Sequence, residues 1–291
     1  MIYQFGRQAP GLRLVPWRHG TCSSNVGVSS CIFSGKRVAV NPIDTEGAWL
    51  AVVLAWVGGA VDAVGFLTLA HLFTAHMSGN SAALGAYLGV GQGAEALRRL
   101  TPIPLFVLGI AVGAAVIEIA VRRGVRSSLS VALTLEAILL LTFRVYGSSH
   151  LHAGVIQTAV GWQFDLLVAL LAVSMGVQTA ALQRVAGTDV HTTYITQMLT
   201  TFAKEAVAYL FWLHDQGQAE NASATQGIVP ARPSLFRALL VAGVWAAFVV
   251  GAVMGGAAVV RWDLNALLAP VAVLVAVIAL DLRSPLYTPT P

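Results

Sequence analysis

From Ala48 onward the chain is a series of long apolar runs with almost no charge inside them. Of its 291 residues 57% are hydrophobic and 10% are charged, with a mean hydropathy of +0.75. Soluble domains carry about 25% charged residues, so a water-soluble globule is excluded. The runs are rich in Ala, Val, Leu and Gly and lack the alternation of a membrane β-strand. In lipid every backbone N–H and C=O must find a partner inside the protein, and helices do this segment by segment. The expected fold is therefore an all-α, polytopic helical membrane protein, with the lipid bilayer as its principal partner.

The runs fall at about 48–71, 76–93, 103–121, 129–146, 163–184, 190–213, 236–261 and 265–282. Most approach the ~20 residues that a span needs. Eight spans are expected, or six to seven where the short second run or the sixth turns back within the membrane. Residues 147–162 read as a loop, 214–235 as a polar linker with Pro230 and Pro233, and 284–291 as a tail. Residues 1–45 are different: they mix Arg, Ser, Gly, Pro and Cys, and read as a disordered tail or a mis-assigned start. Cys22 and Cys31 in that segment make neither a disulfide framework nor a zinc pattern.

The net charge of +4 does not point to nucleic acid, because Lys and Arg are scattered at span ends. Their balance, weighted by Arg7, Arg13, Arg18, Lys36 and Arg37 of the tail, places the N-terminus in the cytoplasm and the protein in the inner membrane.

Two regions break the apolar pattern. Gly58 to Asn80 carries Asp62 mid-run and closes on a polar corner of Thr74, His76, Ser78, Gly79 and Asn80. A carboxylate within a span costs roughly 3 kcal/mol on insertion scales, which marks Asp62 as a proton, cation or substrate site. A structural carboxylate held by a neighbouring helix is the competing account. Irregular backbone at membrane depth survives only beside protein or a water-filled cavity. The corner can present a helix N-terminus to a ligand or simply cap a helix. The second region, Ser174 to Thr200, holds Gln178, His191, Thr192, Thr193, Tyr194 and Thr196. Glu136 lies eight residues into its run with no local partner and ranks second to Asp62. Glu118 has Arg122 one turn away, which predicts an ion pair.

The two regions overlay as an internal repeat. Asp62 falls opposite Gln178, Ser78-Gly79 opposite Thr196-Gln197, and Gly109-x-x-x-Gly113 opposite Gly251-x-x-x-Gly255. This divides the chain into a first membrane repeat, 46–146, and a second, 163–283. The two GxxxG elements are helix-packing devices, within the chain or between the copies of a homo-oligomer.

At these residues the chain resembles the YoaK-like family of bacterial membrane proteins, a domain of unknown function. Gly59, Asp62, Ala63, Gly65 and Phe66, followed by Phe73, Met77, Ser78, Gly79 and Asn80, match its N-terminal signature. Gly176, Gln178, Ala180, Ala181, Leu182 and Arg184, then Thr192, Thr193, Tyr194, Thr196, Leu199 and Thr200, match its second half. Thr179 and Gln197 stand where the family has Asn and Gly. The resemblance covers 46–283 and implies a multi-spanning membrane protein. It supplies no substrate.

No P-loop, GxSxG, HExxH or Cys/His cluster occurs, so no cofactor, metal or catalytic set is expected. Paired polar breaks in related halves are typical of secondary transporters of a small solute or ion. The alternatives are a membrane scaffold or partner subunit and, third, a membrane-embedded enzyme.

Overall fold

The computed structural model describes residues 45–150, 161–186, 195–219 and 235–284. These residues form helices and no strand. In chain order they are α1 (Thr45–Thr68), α2 (Met77–Gly89), α3 (Gly93–Leu100), α4 (Pro102–Arg122) and α5 (Ser128–His150). They continue as α6 (Trp162–Ala186), α7 (Ile195–Ala219), α8 (Leu235–Trp262), a 3-10 turn (Asp263–Leu267) and α9 (Leu268–Arg283). Residues 1–44, with both tail cysteines, lie outside the described residues, as do Thr193 and residues 220–234 of the 214–235 linker.

Five stretches are long and apolar enough to cross a membrane: Gly47–Thr68, Gly93–Arg122, Ser128–Ser149, Trp162–Gln183 and Ala238–Arg283. The last passes through α8, the 3-10 turn and α9. The second apolar run of the sequence folds into the 13-residue helix α2. At 1.5 Å per residue it is roughly 20 Å long, short of the ~30 Å hydrocarbon core. The described part of the sixth run lies in α7, which extends to Ala219, into the expected linker, and carries Lys204 and Glu205 at mid-length. This dilutes its hydropathy, and α7 is not among the five.

The core is built around α1 and α6. Leu50, Leu54, Val57, Val61 and Val64 on α1 are fully buried, as are Leu167, Leu171, Met175 and Ala181 on α6. Each core helix has one closely apposed partner: α8 lies on α1, and α4 lies on α6. Glycine sets both distances. A Cβ at Gly59 would strike the Phe248 carbonyl, and at Gly251 and Gly255 the Trp56 and Ala60 carbonyls. On the other side, a Cβ at Gly109 would strike the Val173 carbonyl, and at Gly176 the Phe106 carbonyl. Without side chains at these points the backbones touch, and dispersion and carbonyl contacts replace side-chain packing. Both GxxxG elements are thus spent inside the chain. The packing these elements were expected to provide is therefore found between helices of one chain.

An outer helix, α5, packs on α6 and α9. Asp281 near the end of α9 accepts from the Ser130 N–H (3.1 Å) and hydroxyl (2.5 Å) in the first turn of α5. At the opposite end Arg144 donates to Asn265 in the 3-10 turn (2.6 and 3.0 Å). The two helices therefore run antiparallel and are tied at both ends. The carboxylate also meets the positive end of the α5 dipole. Glu118 and Arg122 pair at 2.9 Å on an exposed face, as their spacing predicts.

Candidate functional site

The site is built by a loop that folds back on the helix it leaves. α1 closes with the Leu69 N–H on the Gly65 carbonyl (2.7 Å) and the His71 N–H on the Phe66 carbonyl (3.0 Å). Ala70 and His71 both take left-handed backbone angles, φ 50° and 57°. Such angles cost roughly 1–2 kcal/mol for a residue with a Cβ. They reverse the chain, and residues 72–76 then run back beside α1. The Arg99 side chain of α3 donates to the His71 carbonyl and ties the reversal from outside.

Asp62 receives the returning segment. Its Oδ1 accepts from the Thr74 N–H (2.7 Å), the Thr74 hydroxyl (3.0 Å) and the Ala75 N–H (2.8 Å). Its Oδ2 lies 2.6 Å from His76 Nδ1. A carboxylate only accepts, so Nδ1 carries the hydrogen and Nε2 is left for other partners. Asp62 is 4% exposed, and its cost of burial is offset by these donors.

Asn80 completes the fold of the loop. Its amide donates to the Phe73 carbonyl (2.7 Å) and accepts from the Phe73 N–H (3.2 Å), as a neighbouring strand would. Two glycines make room. A Cβ at Gly65 would fall 2.5 Å from Thr74 Cγ2, and one at Gly79 3.0 Å from the Phe73 ring.

A pocket of about 460 Å³ opens beside this corner. α1 contributes Gly59, Asp62, Ala63 and Phe66, and the corner contributes Phe73, His76, Ser78 and Gly79. α8 closes it with Trp245, Phe248, Val249 and Ala252. The rings are continuous: Phe66 and Phe73 lie 4.8 Å apart, Phe73 and His76 5.7 Å, and His76 and Phe248 5.2 Å. A larger cavity of about 940 Å³ lies between the α3–α4 junction and the start of α6. It contains Arg98 and Asp165 but none of the polar residues singled out by sequence.

Asp62, Thr74, His76 and Asn80 are thus joined, with Ser78 and Gly79 on the pocket wall. Gln178 is elsewhere: it is buried between α6 and α1 and donates to the Leu54 carbonyl (3.2 Å). It does not line the pocket. Thr196 lies in α7 and its side chain is outside the described residues, as is all of Thr193. Glu136 sits on the buried stripe of α5 with 0% exposure, and neither of its oxygens has a hydrogen-bond partner among the described residues. No group of three His, Cys, Asp or Glu able to hold a metal occurs among the described residues.

Sequence reasoning missed the α8 wall. Its signal was present in the spacing: Trp245, Phe248 and Ala252 lie on one helical stripe beside Gly251 and Gly255. It missed Asp281 as a helix cap as well.

The model of the family described as "Protein of unknown function (DUF1275)" matches residues 50–280. The chain belongs to the DUF1275 family. The matched region of this DUF1275 protein takes in the whole of α2 to α8 and most of α1 and α9. It is similar to the UPF0700 transmembrane protein YoaK of Bacillus subtilis (strain 168), with 28% identity over 163 residues. That alignment covers 56% of this chain and 68% of the relative. No solved structure matches it. The YoaK-like resemblance read from the paired motifs therefore holds, and the chain is a multi-pass membrane protein.

Proposed function

We propose that this DUF1275 protein is a secondary transporter of a small solute, with the Asp62–His76 pair as its coupling element. The observation that carries this reading is the placement of that pair on the wall of an aromatic pocket between α1 and α8. A hydrogen-bonded carboxylate and imidazole can exchange a proton. A solute in the pocket would touch both. Buried ionisable groups in membrane helices most often serve ion or substrate pathways.

The paired helix crossings support two related halves. Trp56, Gly59 and Ala60 take the same roles against α8 that Val173, Gly176 and Val177 take against α4. Phe106, Gly109 and Gly113 correspond likewise to Phe248, Gly251 and Gly255. In this register Asp62 stands opposite Thr179, and Gln178 opposite Val61, one residue from the alignment read in the sequence. The Thr179 hydroxyl is bonded to the Met175 carbonyl of its own helix (2.8 Å). The second half thus has no carboxylate at that place, which favours one titrating site in the protein. We place it in the inner membrane with its N-terminus in the cytoplasm, on a charge balance weighted by the basic residues of its N-terminal segment.

The test is proton movement in proteoliposomes loaded with a pH-sensitive dye. A solute panel of cations, anions and neutral compounds is added to wild type and to Asp62→Asn. Solute-dependent proton movement that Asp62→Asn abolishes is expected. Its absence for every class, or its survival in Asp62→Asn, contradicts the reading.

A second reading, a scaffold without flux, is favoured by one observation. Oδ1 of Asp62 is fully used in holding the loop. Under that reading the pocket is a static crevice, and Asp62→Asn changes stability alone.

A further inference from the structure

We propose that the pocket beside Asp62 takes a small organic cation, an ammonium group on an apolar or aromatic body. The inference rests on the reading of this pocket as a solute site, and it names the class of solute.

Charge is the first argument. Among the described residues the lining contains one carboxylate, Asp62, and neither Lys nor Arg. The α1 face adds only Gly59, Ala63 and Phe66, and the α8 face only Trp245, Phe248, Val249 and Ala252. His76 is the one other titratable group facing the pocket among the described residues, and its Nδ1 hydrogen is already committed to Asp62. An anion would meet the carboxylate with no fixed cation to offset it.

Acceptor capacity is the second. A carboxylate offers about four acceptor positions, two on each oxygen. Oδ1 is crowded by three donors, whereas among the described residues Oδ2 has His76 alone. One position on Oδ2 is open to an N–H of a ligand. A charge-assisted bond there is stronger than any that a neutral hydroxyl would make.

The walls are the third. Phe66, Phe73 and Phe248 surround the acidic corner, with centroid contacts that run through the His76 ring. Aromatic faces attract a cation and pack well against an apolar body. About 460 Å³ is within the range of small-molecule sites.

The test is calorimetric titration of the purified full chain in detergent with three probes that differ mainly in charge. These are 2-phenylethylammonium, 2-phenylethanol and phenylacetate. Saturable binding of the ammonium is expected, roughly tenfold or more tighter than the alcohol, with phenylacetate weakest. Asp62→Asn should erase the preference for the ammonium over the alcohol. Phe248→Ala, on the opposite wall, should weaken the ammonium severalfold while the protein stays monodisperse. Equal binding of alcohol and ammonium, preference for phenylacetate, or no saturable binding of any probe overturns the assignment. The two proposals separate cleanly. Ammonium binding without proton-coupled flux keeps the ligand class and removes the transporter. Coupled flux of an anion or a neutral solute does the reverse.

Discussion

Oδ2 of Asp62 and Nδ1 of His76 stand 2.6 Å apart, though the two residues are separated by the end of a helix and a full chain reversal. The contact exists because Ala70 and His71 turn the chain with left-handed angles and Asp62 catches the returning N–H groups. One carboxylate therefore does two jobs. Oδ1 shapes the loop, and Oδ2 with His76 faces the pocket.

This division of labour separates two substitutions. Asp62→Asn keeps an oxygen for the Thr74 and Ala75 N–H groups and an amide that can donate to His76. Asp62→Leu strands both buried N–H groups, at about 1–3 kcal/mol each. In thermal unfolding in detergent, Asp62→Asn should melt within a few degrees of wild type and Asp62→Leu clearly lower. Equal loss in both would mean that the charge, not the acceptor, holds the loop.

The helix crossings give a contrast between glycines. Gly251→Val should destabilise strongly, because its Cβ would meet the Trp56 carbonyl and backbone cannot yield as a side chain can. Overpacking costs about 1–3 kcal/mol or more. Gly85→Ala on α2 meets nothing within 4 Å, so it should leave stability unchanged or raise it by up to ~1 kcal/mol through helix propensity. Melting curves of the two variants check the ordering.

Asp281 should behave as a cap for α5. Removing its carboxylate leaves the Ser130 N–H and hydroxyl without that acceptor. Asp281→Ala should cost about 1–2 kcal/mol, in the range for loss of a helix cap, and Asp281→Asn less. Amide hydrogen exchange should report the loss first at the start of α5.

Glu136 presents the opposite case, a fully buried carboxyl with no partner among the described residues. Glu136→Leu fills a similar volume without a polar group to desolvate, so it should stabilise the protein by about 1–3 kcal/mol. A rise in melting temperature is the expected readout. A fall would show that the carboxyl has a partner in the folded protein.

Much of the helical frame is legible in the sequence, because long uncharged runs admit few other structures in lipid. The ion pair of Glu118 and Arg122 is legible from spacing alone. The second run already stood out as short in the sequence, but its end was not legible there: α2 stops at Gly89, and Gly91 turns the chain at φ 75°. The corner was recognised by composition, yet its geometry was hidden. Left-handed angles at Ala70 and His71 leave no signature in residue type, and without that reversal nothing brings Thr74 back to Asp62. The α8 wall comes from far along the chain, where only the glycine stripe hints at a close neighbour. Gln178 was set opposite Asp62 by the sequence overlay, whereas in the fold it is buried and donates to the Leu54 carbonyl of α1.

The most direct measurement is accessibility of the pocket wall from both sides of the membrane. Ser78 lines the pocket and is exposed, and the tail cysteines can be replaced to remove background labelling. In a Cys22→Ser, Cys31→Ser protein carrying Ser78→Cys, a membrane-impermeant thiol reagent is applied separately to each face of oriented vesicles. A transporter that alternates access should be labelled from both faces, and 2-phenylethylammonium should slow both reactions. Labelling from one face only, or from neither, would contradict the account.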